Sequence, residues 1–138
     1  MIETTDLILR EQDVKQIDRA LQTMLRDSRA HSVILINRDD GGVLAAQGFL
    51  DSLDTTSLGA LAAGAFASAR EIARLIGEPE FSVLFHQGRR EHVHVNLAGP
   101  HGLLMTLFDD TPPVGLVRLS ARRACLAVQR ALSADEPE

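Results

Sequence analysis

Two short runs of large aliphatic residues limit the folds that this 138-residue chain can adopt. The first is Ser32–Asn37, which contains four consecutive large aliphatic residues, and the second spans residues 103–108, where Thr106 is the one polar residue. Runs of this length that are rich in branched side chains and lack polar alternation predict strands with both faces buried. The chain therefore needs helices on both sides of one sheet.

The rest of the chain supplies further helices and strands, which are separated by turn residues. The remaining predicted elements are helix 11–28, strand 43–46, helix 54–76, strand 81–87, strand 92–97 and helix 114–132. The helices follow from apolar residues at helical spacing, and strand 92–97 follows from strict alternation of polar and apolar residues. The predicted order is α-β-β-α-β-β-β-α.

Charge and residue usage exclude several classes of protein. The formal net charge is −5, from 14 basic and 19 acidic residues, whereas general binders of nucleic acid or anionic membranes carry a basic excess. No apolar run approaches the roughly 20 residues of a membrane-spanning helix, and no targeting segment is evident. One cysteine alone forms no intrachain disulfide. We therefore expect a cytoplasmic protein whose partners are neither nucleic acid nor membrane.

The predicted second helix carries two stripes of different composition. One is apolar and is expected to face the sheet: Leu58, Leu61, Ala65, Phe66, Ala69, Ile72, Ala73 and Ile76. The other consists of small residues: Gly59, Ala60, Ala63, Gly64, Ala67 and Ser68. Each glycine inside a helix costs about 1 kcal/mol relative to alanine. We therefore expect another helix or a sheet to approach the small-residue stripe closely.

The motifs that usually mark an enzyme are missing from the sequence. Lys15 is the only lysine and does not belong to a phosphate-binding loop, so the chain is not itself a P-loop GTPase. His86, His92 and His94 fall on neighbouring predicted strands and are candidates for a metal site, with a polar sheet face as the alternative. Because the enzyme motifs are missing, we expect no catalytic residue or cofactor, and because the sequence supplies no fourth ligand at a fixed spacing, we expect no metal.

Three other residues have both a chemical and a structural interpretation. Asp109 and Asp110 are candidates for an acid–base pair or a cation site. Their position just before two prolines favours an ordinary helix entry, since the positive end of a helix attracts acidic side chains. Cys125 falls on the inward side of the last predicted helix, where we expect a buried hydrophobic residue.

Several motifs taken together resemble the roadblock family, the small domains related to dynein light chains and to bacterial GTPase regulators. They are DTTSL at 54–58, LIGE at 75–78 with Glu80-Phe81, FHQG at 85–88, and Phe108-Asp109 followed by GLVRL at 115–119. Their order and spacing agree with the family from residue 7 to about residue 132, and most closely with its MglB group of bacterial regulators. The resemblance implies an α/β (α+β) fold with one five-stranded, mostly antiparallel sheet and helices on both faces. It also implies a single domain over residues 1–138, with flexible ends at 1–6 and 133–138.

The resemblance further implies a homodimer. In the family, the third strand pairs with its twin across a two-fold axis, and the second helices pack together. Carried onto this sequence, the dimer interface comprises Ala60, Gly64, Ser82, Val83, Leu84, Phe85 and His86. The small-residue stripe and the apolar strand at 82–87, which would otherwise remain an open edge, favour the same assembly.

The partner that the resemblance implies is an MglA-like small GTPase. A regulator of this group is a GTPase-activating protein that positions the switch regions of its partner and inserts no arginine. The partner surface lies on the outer face of the second helix: Ala63, Ala67, Arg70, Glu71 and Arg74. Glu71 stands where the group has a small residue, and Gln87 where it commonly has glutamate. The alternative within the family is a non-catalytic scaffold that docks a kinase, a motor or another roadblock protein.

Overall fold

The secondary structure follows the predicted order. A computed structural model describes residues 9–133 of the chain, with side chains to Leu132. The elements are α1 (Glu11–Ser28), β1 (Ser32–Asn37), β2 (Val43–Gly48), α2 (Thr55–Leu75), β3 (Val83–Gln87), β4 (His92–Ala98), β5 (Gly102–Phe108) and α3 (Val114–Ser133). The ends were predicted to be flexible at 1–6 and 133–138. Ser133 is the last residue of α3, and residues 1–6 and 134–138 lie outside the described residues.

The five strands form one sheet in the order β2-β1-β5-β4-β3, and every neighbouring pair is antiparallel. The two apolar runs become β1 and β5, which pair with each other in the interior of the sheet, with Ile34 opposite Met105. Every residue of β1 is buried, and so is every residue of β5 except Leu107. This confirms the prediction of strands with both faces covered.

Helices cover both faces, and each face has its own core. On one face, α1 and α3 pack against each other and bury Ile17, Leu21 and Val128 against Val33 and Leu104 of the sheet. On the other face, a core around Phe66 of α2 includes these sheet residues: Ile34, Ile36, Val95, Leu103 and Met105. The alternation of β1 between the two cores explains why its sequence is apolar at successive positions.

The side of α2 that packs on the sheet agrees only in part with the predicted one, since Phe66, Ala69 and Ala73 are buried as expected. Its buried residues are Gly59, Ala62, Phe66, Ala69 and Ala73. Leu61, Ile72 and Ile76, which were expected to face the sheet, are 71%, 55% and 66% exposed. The prediction was wrong for these three because it assigned the large aliphatic residues to the core. The helix instead turns mainly small residues inward, which allows its backbone to approach the sheet closely.

Gly59 is required at this close approach. A Cβ atom at Gly59 would lie 2.3 Å from the carbonyl oxygen of Gly41, in the turn between β1 and β2. Gly41 itself has a φ of +77°, which favours glycine. A Cβ atom at Gly64, by contrast, would meet no atom within 4 Å. Packing within the chain therefore explains one of the two helical glycines and leaves the other facing open space.

Both ends of α2 carry the capping residues that the sequence predicts. The side chain of Asp54 accepts a hydrogen bond from the backbone N–H of Ser57 at 3.0 Å and another from the Ser57 hydroxyl. The bond from the hydroxyl and, after it, the bond from the N–H lower the pKa of the Asp54 carboxyl. At the other end, Gly77 has a φ of +85°, as expected of a residue that ends a helix. The local sequence thus determines where α2 begins and ends, although it did not reveal which side is buried.

Candidate protein interaction surface

β3 is an edge strand that pairs on one side only, with β4. Of the residues predicted to form the dimer interface on this segment, Ser82, Val83 and His86 are exposed, whereas Leu84 and Phe85 are half-buried. β2, the other edge, packs against α1 and α2. An unpaired edge strand offers backbone donors and acceptors to a second chain. The structure therefore places the predicted β3 residues on an edge that is open to pairing.

The sheet beside β3 is incompletely covered. α2 packs over β1, β2 and β5, and the apolar side chains nearer the β3 edge on the same face, Leu84, Val93 and Leu97, are only half-buried. Half-buried leucine and valine side chains leave apolar area in contact with water, which is unfavourable in proportion to that area. This part of the sheet would gain from a further covering element.

The predicted partner residues lie together on α2. Ala67, Arg70, Glu71 and Arg74 are exposed, and Ala63 is half-buried. The charged groups are paired within the chain, because Arg74 Nε donates to Glu71 Oε2 at 3.1 Å. Arg70 Nε lies 3.9 Å from Glu80 Oε1, which also bonds Arg38. This surface therefore combines small side chains with charges that are already partly neutralised.

Sequence reasoning missed an exposed apolar stripe on α2, formed by Leu61, Ile72, Leu75 and Ile76. Leu75 is 82% exposed, and the other three are more than half exposed. Exposed apolar residues that cluster on one element mark sites of interaction with other proteins. Helical periodicity finds both the large aliphatic and the small residues of α2, but it does not tell which of the two groups faces the sheet. In the structure, Gly59 approaches Gly41 and Phe66 lies in the core, so the side of α2 that carries the small residues faces the sheet.

The three histidines do not come together. His86 pairs with Val93, whereas His92 and His94 point to the opposite face of the sheet, where α3 packs and where both are buried. No group of three histidine, cysteine, aspartate or glutamate residues within 9–133 is placed to hold a metal ion. The polar side of β4 lies under α3 rather than in solvent, which the alternation alone did not reveal.

His92 and the two aspartates have structural partners. The Gly88 N–H donates to His92 Nδ1 at 3.2 Å, and the Nε2 atom of the same ring lies 2.6 Å from Asp110 Oδ1. His92 thereby ties the β3–β4 turn to the segment that enters α3. Asp109 accepts from the Thr111 N–H at 2.8 Å, and the hydrogen bonds with Thr111 lower the pKa of the Asp109 carboxyl. These contacts are those of a helix entry.

Cys125 is buried, and its burial raises the pKa of the thiol to about 12. A thiol with so high a pKa carries almost no thiolate at neutral pH and is a poor nucleophile. The interpretation of Cys125 as a buried hydrophobic residue is therefore confirmed. None of the helices within residues 9–133 is both long and apolar enough to cross a membrane.

Comparison with known proteins agrees with the fold and with the motifs. The sequence profile of the Roadblock/LC7 domain matches residues 16–108. A search of curated protein sequences found no match. Among solved structures, the gliding protein MglB from Thermus thermophilus is similar at 34% identity, with a TM-score of 0.88 over 96% of this chain and 99% of the other.

Two further solved structures are similar over the same share of this chain. Myxococcus xanthus MglB is 29% identical, with a TM-score of 0.88 over 96% of this chain and 98% of the other. A structure described as MglB with tetrameric arrangement is 33% identical, with a TM-score of 0.89 over 96% of this chain and 98% of the other. The profile match, the strand order and these neighbours agree, and the chain is a member of the Roadblock/LC7 domain family.

Proposed function

We propose that this chain is a homodimeric regulator that binds an MglA-type small GTPase in the cytoplasm and accelerates its GTP hydrolysis, in cell polarity or motility. The observation that carries the proposal is similarity to MglB proteins of two bacteria across 96% of the chain, with a TM-score of 0.88 in each case. In this proposal the chain supplies no active site of its own and acts on the nucleotide bound by its partner.

Three features of the structure support the homodimer. The β3 edge is unpaired, the apolar sheet face beside it is half-covered, and the α2 surface includes the exposed small residues Ala60 and Gly64. An antiparallel pairing of two β3 strands about a two-fold axis would satisfy both edges at once. It would also bring a second set of helices toward the half-covered face. One assembly thus accounts for all three features.

The α2 surface supports a mechanism based on positioning. Both arginines predicted to face the partner are already engaged, Arg74 with Glu71 and Arg70 near Glu80. The small side chains beside these arginines, Ala63 and the exposed Ala67, supply contact area that does not depend on charge. Such a surface suits a grip on mobile segments of a GTPase, in which binding energy selects the conformation that hydrolyses GTP.

The homodimer leads to a prediction on assembly. Gly64→Arg and Ala60→Arg each place a long charged side chain where two α2 helices are proposed to meet, so we expect both variants to be monomeric. Gln22→Arg, at an exposed position of α1, introduces the same side chain and should leave the dimer intact. Light scattering after size-exclusion chromatography measures the mass of each variant. An unchanged dimer mass in both α2 variants would contradict the proposed interface.

A second prediction concerns the GTPase. In single-turnover assays with a GTP-loaded MglA-type protein, we expect this chain to raise the hydrolysis rate on the order of 100-fold, the effect that correct positioning of a catalytic group commonly has. Ala67→Arg should remove most of the acceleration without changing the dimer mass, and Gln22→Arg should change neither. Binding that is equally tight with GTP and GDP, without acceleration, would indicate the scaffold function instead.

A further inference from the structure

A polar cleft lies on the face of the sheet opposite α2, between α3 and the β3–β4 edge. It encloses about 480 Å³, which falls within the range of small-molecule sites. Its polar lining comprises Ser82, His94, Asn96, Arg118, Arg122 and Gln129. Ser82 belongs to the proposed dimer interface, and the other five have no role in that interface or in the proposed GTPase surface on α2.

His94 has an unsatisfied ring nitrogen. The side chain is 1% exposed, and its Nδ1–H donates to Asn96 Oδ1 at 2.7 Å. Nε2, at the far end of the ring, is buried and has no hydrogen-bond partner among residues 9–132. Leaving a buried polar atom unsatisfied is costly, and such an atom in a native structure calls for an explanation. One explanation is that Nε2 forms a hydrogen bond with a bound ligand.

The cleft is locally basic although the chain is acidic overall. Arg118 and Arg122 follow each other by one turn of α3, and neither forms an ion pair with a carboxylate in the described part of the chain. Arg118 lies 5.8 Å from the centre of the Phe85 ring, which restricts its orientation. The lining contains no aspartate or glutamate, in a chain whose net charge is −5. Two guanidinium groups one helical turn apart, without a carboxylate partner in the described part of the chain, are suited to bind a carboxylate or phosphate.

We propose that this cleft binds an oxyanion, a carboxylate or phosphate group, between Arg118 and Arg122, and that His94 Nε2 completes its hydrogen bonds. The arginines provide charge and paired donors at the rim. His94, held by Asn96, acts as the buried polar contact. The bound group offsets the two positive charges and satisfies the nitrogen that the chain leaves without a partner.

Binding should be coupled to a proton. Burial is the main cause that lowers the pKa of His94, the hydrogen bond with Asn96 opposes it, and the charge of Arg118 adds to the lowering. The titratable and charged groups that line the cleft with His94 are Arg118, Arg122 and the un-ionised thiol of Cys125, all on α3. On β4, His92 lies two residues away on the same face and contacts the same Phe85 ring, and its Nε2 is held by Asp110. The cleft lining itself contains no carboxylate. An anion in the cleft favours the charged imidazole, so His94 takes up a proton from solvent and Nε2–H donates to the anion.

Calorimetric titration of the full chain with inorganic phosphate, and separately with glutarate, tests the proposal. We expect saturable binding of one anion per chain, and Arg118→Gln or Arg122→Gln should weaken it by about tenfold or more. Arg123→Gln is the matched control, because Arg123 lies in the groove between α1 and α3 and carries the same charge. Preference for phosphate or for glutarate identifies the source of the oxyanion, and either result supports the site.

Nuclear magnetic resonance of the imidazole separates this site from general surface charge. The anion should raise the pH at which His94 titrates, and affinity should increase as the pH falls. Light scattering on each variant verifies that the oligomeric state is unchanged. Absence of saturable binding by both anions would overturn the proposal. Equal weakening by Arg123→Gln, or an anion without effect on the His94 titration, would overturn it as well.

Discussion

Replacing Gly59 with alanine is expected to lower the free energy of unfolding by about 2 kcal/mol. The new Cβ atom would lie 2.3 Å from the Gly41 carbonyl oxygen, far inside van der Waals contact. The turn cannot yield easily, since the Gly41 N–H donates to the Asn37 carbonyl at 2.8 Å and the Asn37 N–H donates to the Gly42 carbonyl at 2.7 Å. The N-terminal end of α2 must therefore move away from the sheet. The packing energy lost by this movement exceeds the gain of about 1 kcal/mol from helix propensity.

Gly64→Ala is the matched control for this prediction. It makes the same chemical change in the same helix, at a position where the new Cβ atom meets nothing within 4 Å. In the monomeric Ala60→Arg background, where no second chain can contact Gly64, we expect it to raise the free energy of unfolding by about 1 kcal/mol.

Thermal and urea denaturation measure both changes. When each glycine substitution is made separately in the Ala60→Arg background, the Tm values of the two resulting variants should differ by roughly 10 °C. Equal stability of the two variants would contradict the close contact between α2 and the β1–β2 turn, because helix propensity alone predicts the same gain at both positions.

Phe66→Ala is expected to lower the free energy of unfolding by about 3–5 kcal/mol. Phe66 is 2% exposed and is the one large side chain among the buried residues of α2. Its ring fills the core that includes Ile34, Leu103 and Met105. The neighbouring inward residues of the helix are glycine and alanine, which cannot move to fill the cavity left behind. The substitution therefore removes most of the apolar contact between α2 and the sheet.

The loss of stability caused by Phe66→Ala should be concentrated in α2. Hydrogen exchange should show faster exchange of α2 amides, whereas β1 and β5, which also pack against α1 and α3, should remain protected. Leu75→Ala removes an aliphatic side chain that is 82% exposed, and should change stability by no more than about 0.5 kcal/mol. Comparable losses in the two variants would contradict the observed orientation of the helix and favour an apolar stripe that faces the sheet.

Sequence patterns predicted the two central strands correctly. β1 and β5 are so short and so uniformly apolar that only burial on both faces is compatible with them. The ends of α2 are equally local, since Asp54 and Gly77 act on backbone groups within a few residues. These features depend on neighbours in the chain, which is why patterning and turn chemistry predict them.

The orientation of α2 and the setting of β4 depend on distant neighbours. Helical periodicity finds stripes on α2, but does not tell whether the larger residues or the smaller ones face the sheet. The approach of Gly59 to Gly41 settles that question. Alternation predicts a polar side for β4, yet α3 packs over that side and buries His92 and His94. Neither contact has a signal within the segments concerned.

The motifs of the chain identified the family by resemblance, and the sequence by itself determined the order of the elements and the two-sided sheet. It did so because hydrophobic periodicity, capping residues and turn glycines act locally and leave their mark in the residues concerned. Only the tertiary structure decided which side of α2 remains exposed, why Gly59 is needed where Gly64 is not, and that His94 lies beside Arg118 and Arg122 in one cleft. These outcomes depend on distances between segments far apart in the chain, and such distances are set by packing.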